Sequence, residues 1–180
     1  MRAWLVFVDQ VPTPAVRFPS FQYGGLLRKF QAMTPEDFAD LARRRPLKAD
    51  FYRGMGQSGF SEERIAKALE DIRNTAARMD LMLEKSGGPW LLGEQFTLAD
   101  ICVAPLLDRI EDLCFAHLWE EDFPRVAGWL GRIQDRPSFK QAYYKGSRLS
   151  DIYPDLKLGR AAPRSLPKSW PGSANWSSAS

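Results

Sequence analysis

The sequence predicts an all-α domain over residues 1–144, followed by a basic, Pro/Ser-rich, disordered tail over residues 145–180. Three observations carry that reading. Apolar residues recur at helical spacing, most clearly at Ile65, Leu69, Ile72, Ala76, Met79 and Leu83, where steps of four and three alternate to draw one stripe. Helix-start signals recur as well, at Thr34-Pro35, at Ser61 and at Thr97. No segment shows the period-two alternation of a half-buried strand, and no tight turn is flanked by strand-like runs. Composition shifts near residue 145. From there to Ser180 six basic and two acidic residues accompany four prolines and eight serines, whereas residues 1–144 hold 19 basic and 20 acidic residues. A segment so poor in apolar residues buries too little surface to offset its ordering entropy.

The opening run Ala3-Trp4-Leu5-Val6-Phe7-Val8 is apolar on every side, and periodicity alone leaves strand and helix open. A helix is expected from about Pro19 to Gln31. At Thr34-Pro35-Glu36-Asp37 the threonine caps, the proline suits the first helical position, and Asp37 can return a bond to the cap. That helix stops before Pro46. The longest helix starts after Ser61, where Glu62 and Glu63 favour the positive end of the dipole, and it ends at Gly87-Gly88. Thr97 opens a further helix running to about Phe115. Shorter ones follow at residues 124–134 and 138–144.

Several chemistries are excluded or disfavoured. A formal net charge of +3 is too small to imply a nucleic-acid partner by itself. The apolar runs 3–8 and 101–107 fall well short of the ~20 residues of a membrane span, and the N-terminus has neither the length nor the cleavage site of a signal peptide. The default compartment is the cytoplasm, with no membrane partner. Cys102 and Cys114, twelve residues apart on one predicted helix, lie roughly 18 Å apart and cannot pair. His117 is the one histidine. It could meet Cys114 but not Cys102, so a metal site is not expected. Gly54-x-Gly56-x-x-Gly59 matches a dinucleotide fingerprint in letters alone. No buried strand precedes it, and the glycines read as a connection into the Ser61 helix.

The most informative segment is Trp90-Leu91-Leu92-Gly93-Glu94-Gln95-Phe96-Thr97-Leu98-Ala99-Asp100-Ile101. Thr97 is an N-cap. Asp100 at the third helical position completes a capping box, and Phe96 and Ile101 form a hydrophobic staple. Asp100 is thus read as a structural carboxylate rather than a catalytic one. Gly93-x-x-x-Thr97-x-Ala99-Asp100 resembles the helix-start motif in the C-terminal domain of glutathione S-transferases. Phe123-Pro124-Arg125-Val126 to Trp129-Leu130 and Arg136-Pro137-Ser138-Phe139 resemble that family's last helices. Met1 to Asp9 resembles its first C-domain helix, which turns the N-terminal ambiguity towards helix. The stretch from Met33 through Phe60 resembles bacterial members, including the β-etherase type.

The resemblance implies a fold, a glutathione S-transferase C-terminal-like helical bundle, and an activity. In that family a thioredoxin-like domain precedes these helices and carries the residue that activates glutathione. No position here matches it, so no catalytic residue is assigned, and the sequence reads as a truncated product or half of a split enzyme. The expected role is the helical half of an enzyme that conjugates glutathione to hydrophobic electrophiles, or uses it to cleave them. Glutathione would be co-substrate, with no metal. Trp4, Phe7, Val8 and Val11 match the substrate-lining helix. Trp4 and Phe7 are expected to lie partly exposed where the missing domain would pack. Expected partners are a hydrophobic small molecule and a separately supplied thioredoxin-like domain; a homodimer stays open. The alternative is a non-catalytic protein-interaction module of the same fold.

Overall fold

The computed structural model describes residues 1–153. The tail expectation beyond Tyr153 lies outside the described residues. Eleven α-helices follow in chain order: α1 (Arg2–Gln10), α2 (Pro12–Ala15), α3 (Arg17–Tyr23), α4 (Leu26–Gln31), α5 (Pro35–Arg43), α6 (Ala49–Met55), α7 (Glu62–Ser86), α8 (Leu98–Asp112), α9 (Pro124–Asp135), α10 (Pro137–Ala142) and α11 (Leu149–Ile152). Short 3₁₀ turns lie at Pro46–Lys48 and Ala116–Leu118. Among the described residues there is no strand, only an isolated bridge between Trp90 and Gly93. The all-α expectation holds, and the N-terminal run is a helix.

The expected helix at 19–31 is two helices. Gly24 and Gly25 break it, Gly25 adopting φ +83°, a left-handed conformation that a β-carbon disfavours. A side chain at Gly24 would strike the Ser20 carbonyl and Leu149, so the chain turns where only glycine fits. The glycine-rich segment closes α6 rather than linking freely. Gly56 (φ +59°) ends that helix, and Gly59 (φ +98°) turns the chain against the Gln22 side chain, which accepts from Phe60 N at 2.9 Å.

α7 is the axis. Its stripe is buried as the spacing requires: Ile65, Ile72, Ala76, Met79 and Leu83 all face inward. Its first turns share an aromatic cluster with α3–α6, in which Phe18, Phe21, Phe30, Phe38, Phe51, Tyr52 and Phe60 meet mostly edge to face. Its later turns join α1, α2, α8 and α9 in the main core, around Trp4, Val103, Leu107, Trp119 and Trp129. Ser61 accepts from Arg64 N, and Gly87 (φ +66°) closes the C-terminus, as the start and stop signals predict.

Residues 145–153, which composition groups with the tail, dock on α8. Asp112 accepts from Leu149 N (2.9 Å), Ser150 N (3.3 Å) and the Ser150 hydroxyl (2.5 Å), while Arg148 pairs with Asp108. A buried carboxylate on α8 thus supplies the acceptor that the backbone N–H groups opening α11 need.

Candidate functional site

Two features of α8 organise everything sequence reasoning singled out. The first is its N-terminus. Thr97 has an extended backbone, and its hydroxyl accepts from Ala99 N at 3.2 Å. Asp100 returns a bond to Thr97 N at 3.0 Å, completing the capping box. The carboxylate does more than cap, however. Its other oxygen accepts from Leu91 N (3.0 Å) and from the Trp129 indole N–H (2.8 Å). Asp100 is fully buried. It therefore ties together the 90–93 turn, the start of α8 and the middle of α9, with all its partners structural donors.

The second feature is the division of α8 into faces. Ala99, Val103, Leu107 and Ile110 are buried, whereas Leu98, Ile101, Cys102 and Pro105 are exposed, at steps of three, one and three that keep them on one side. Pro105 sits inside the helix, where it removes one backbone donor. α1 divides likewise, with Trp4 and Val8 inward and Met1, Ala3 and Val6 outward. The two helices pack on each other, joined by the Trp4 indole N–H donating to Ala99 O at 3.0 Å. Large apolar side chains thus remain exposed on both helices.

The substrate-wall candidates fall on both sides of this division. Trp4 is 3% exposed and Val8 4%, so the expectation that Trp4 lies partly exposed does not hold. Its ring fills the core between α1 and α8, and its N–H is satisfied there. Phe7 and Val11 are half-buried. Phe7 lies 5.4 Å from the Trp4 ring, and the Arg78 guanidinium from α7 covers it at 4.3 Å.

Further buried titratable groups pair within the domain. Asp80 accepts from Arg125 N (3.1 Å) and the Arg125 guanidinium (2.8 Å), capping α9 from across the bundle. Burial pushes the Asp108 carboxyl above its ordinary range, against the opposing pull of Arg148 and Gln134. Burial, helped by Glu62, raises the Tyr23 phenol. Sequence reasoning missed Asp80, Asp108 and Asp112 as buried groups. An acid four residues on from a buried apolar position, as Asp80 is from Ala76 and Asp108 from Ala104, is the signal the sequence carries for those two. Among the described residues no group of three His, Cys, Asp or Glu side chains could hold a metal ion. Nor is any helix long and apolar enough to cross a membrane.

Comparison with known proteins agrees with this geometry. Residues 62–132 match the sequence profile of the glutathione S-transferase C-terminal domain. The chain is 34% identical over 85 residues to the 2,5-dichlorohydroquinone reductive dechlorinase of Sphingobium indicum, covering 46% of this chain and 25% of that protein. It is 26% identical over 153 residues to Protein LigF of Sphingobium sp. strain SYK-6, covering 82% of this chain and 58% of LigF. The crystal structure of β-etherase LigF superposes with a TM-score of 0.63 at 24% identity, over 78% of this chain and 59% of that one, which establishes the shared fold. The chain thus spans between a quarter and three-fifths of the length of these relatives.

Proposed function

We propose that this chain is the helical C-terminal domain of a glutathione S-transferase family protein, whose profile residues 62–132 match, and that it works as the substrate-holding half of a glutathione-dependent enzyme acting on hydrophobic, aromatic electrophiles. The thiol of glutathione would be activated by a thioredoxin-like domain, whose donors lower the thiol pKa. The observation that carries the reading is the exposed apolar side of α1 and α8: Val6, Leu98, Ile101 and Pro105 stay in water when this domain folds and offer a surface for such a domain to cover. Phe7 and Val11 keep enough exposure to touch a bound aromatic ring, and the reading assigns them that role. Trp4 and Val8 support them from the core.

The kinship with a reductive dechlorinase supports aromatic substrates, because its name describes chemistry at a chlorinated hydroquinone. The helical half would hold the aromatic ring beside the sulfur, converting an encounter in solution into a positioned attack. The test is a chimera. Fusing the thioredoxin-like domain of a bacterial family member ahead of Met1 should yield conjugation of glutathione to chlorodinitrobenzene above the uncatalysed rate. The same fusion carrying Ile101→Glu should stay helical and lose the activity. A folded chimera inert towards every aromatic electrophile tried would leave the assembly-module reading in place.

A further inference from the structure

The segment Arg43-Arg44-Arg45-Pro46-Leu47-Lys48 joins α5 to α6. Every one of its residues is exposed, and Leu47 is 100% exposed, the most exposed large apolar side chain among the described residues. The segment is not slack. Pro46 opens a 3₁₀ turn, Lys48 N donates to Arg45 O at 2.8 Å, and the Arg45 guanidinium donates to the Tyr52 hydroxyl at 2.8 Å from above its ring. A structured turn therefore holds a leucine out into water between cations. Arg43 and Arg44 share the single carboxylate of Asp40.

The charge around the turn contrasts with the rest of the domain. Residues 40–53 hold five basic and two acidic residues, a net of +3, while the other residues of 1–144 hold fourteen basic and eighteen acidic, a net of −4. A molecule so polarised turns its basic corner towards an anionic surface. We propose that the turn at residues 43–48 is a peripheral contact site for an anionic phospholipid surface, with Leu47 entering the boundary between headgroups and acyl chains and the cations meeting the headgroup phosphates. The exposed leucine selects lipid over nucleic acid. Single strands are held by stacking on exposed aromatics, and here Phe51 and Tyr52 are turned into the aromatic cluster. Contact of this kind needs no spanning helix, and it stands independently of the glutathione reading.

The test is sedimentation of the full chain with vesicles of phosphatidylcholine alone or mixed with phosphatidylglycerol. Binding is expected only where phosphatidylglycerol is present, and ~1 M salt, which cuts the screening length to about 3 Å, should release it. Leu47→Asp should lower partitioning at least about tenfold, because it removes the buried leucine and adds a repelled charge. Lys48→Gln should lower it about fivefold. Both variants should melt like the parent, since Leu47 packs on nothing. The basic residues 157–168 also attract anionic lipid, but binding through them would be indifferent to Leu47. Equal sedimentation of the parent and Leu47→Asp overturns the proposal. So does capture of a single-stranded oligonucleotide without capture of phosphatidylglycerol vesicles.

Discussion

Replacing Asp100 with alanine removes far more than a helix cap. The carboxylate is fully buried and accepts from Thr97 N, Leu91 N and the Trp129 indole N–H, all within 3.0 Å. A cap residue alone is worth about 0.5–2 kcal/mol, which is what the sequence motif implies for either partner of the box. Each donor stranded without water costs about 1–3 kcal/mol more. Leu91 N and Trp129 Nε1 sit in residues about 1% exposed or less, so neither can recruit solvent without opening the core. The expected loss for Asp100→Ala is therefore about 2.5–8 kcal/mol, against about 0.5–2 kcal/mol for Thr97→Ala. That is a large part of the 5–15 kcal/mol holding a typical domain together. Urea melts followed by circular dichroism would separate the two, read as midpoint shifts at constant m-value. Asp100→Asn should fall between them, because it keeps an acceptor but introduces an amide N–H among donors. Equal losses for Thr97→Ala and Asp100→Ala would refute the three-element tie and reduce Asp100 to an ordinary cap.

Other substitutions probe the remaining features. Trp4→Phe removes the indole donor to Ala99 O and leaves a smaller ring in the core, and should cost about 1–3 kcal/mol in the same melts; Trp4→Glu, placing a charge at a 3% exposed site, should cost at least ~3 kcal/mol. Ile101→Glu sits on the exposed side of α8 and should change stability by less than about 0.5 kcal/mol, while lowering binding of a hydrophobic dye and any self-association seen by sedimentation velocity. Because folding raises the affinity of Asp108 for its proton, the native state holds more protons than the unfolded chain between the ordinary carboxylate pKa and the raised one. Stability should therefore fall as pH rises through that window, and Asp108→Asn, still facing Arg148, Gln134, Glu111, Asp112 and Arg109, should flatten that slope.

The legible parts of this fold are those where local chemistry and tertiary packing agree. The stripe on α7, the Ser61 and Thr34 caps and the Thr97-Asp100 box each announce in a few residues what the backbone does, because the donors they satisfy lie within one turn. The parts missed depend on residues far apart in the chain. Asp80 caps α9 from 45 positions away, and Asp112 holds Leu149 from 37. Nothing next to Asp112 distinguishes it from Asp122 or Asp135, which are exposed. Composition likewise groups residues 145–153 with the basic tail, since Leu149 and Ile152 are isolated among polar residues; Leu149 sits where a side chain at Gly24 would strike it. As for the site, the sequence locates α1 but cannot divide its faces, and it gives α8 only a structural cap. A run such as residues 3–8, apolar on every side, reports that both faces meet something without saying which meets the core.

That division decides how the domain behaves alone. Had Trp4 faced outward, the isolated helices would have left an indole N–H and a large ring in water, and folding would have waited on a partner to cover them. The structure resolves the demand internally. The N–H finds Ala99 O, the ring joins the core, and Arg78 lies over Phe7 where α1 meets α7. What remains outside is aliphatic: Val6, Leu98, Ile101 and Pro105. An aliphatic surface on a completed core can be covered or bare without changing the fold under it. On the reading proposed above, docking of a second domain would be addition of a rigid body to a finished one, driven by apolar area rather than by rescue of a stranded donor. The energetic roles separate accordingly. Asp100, Trp4 and Trp129 hold α8 to its neighbours, and on the reading proposed above the Ile101 side of the same helix would govern docking while contributing little to that hold. One helix thus turns its stabilising contacts to one face and an exposed apolar surface to the other.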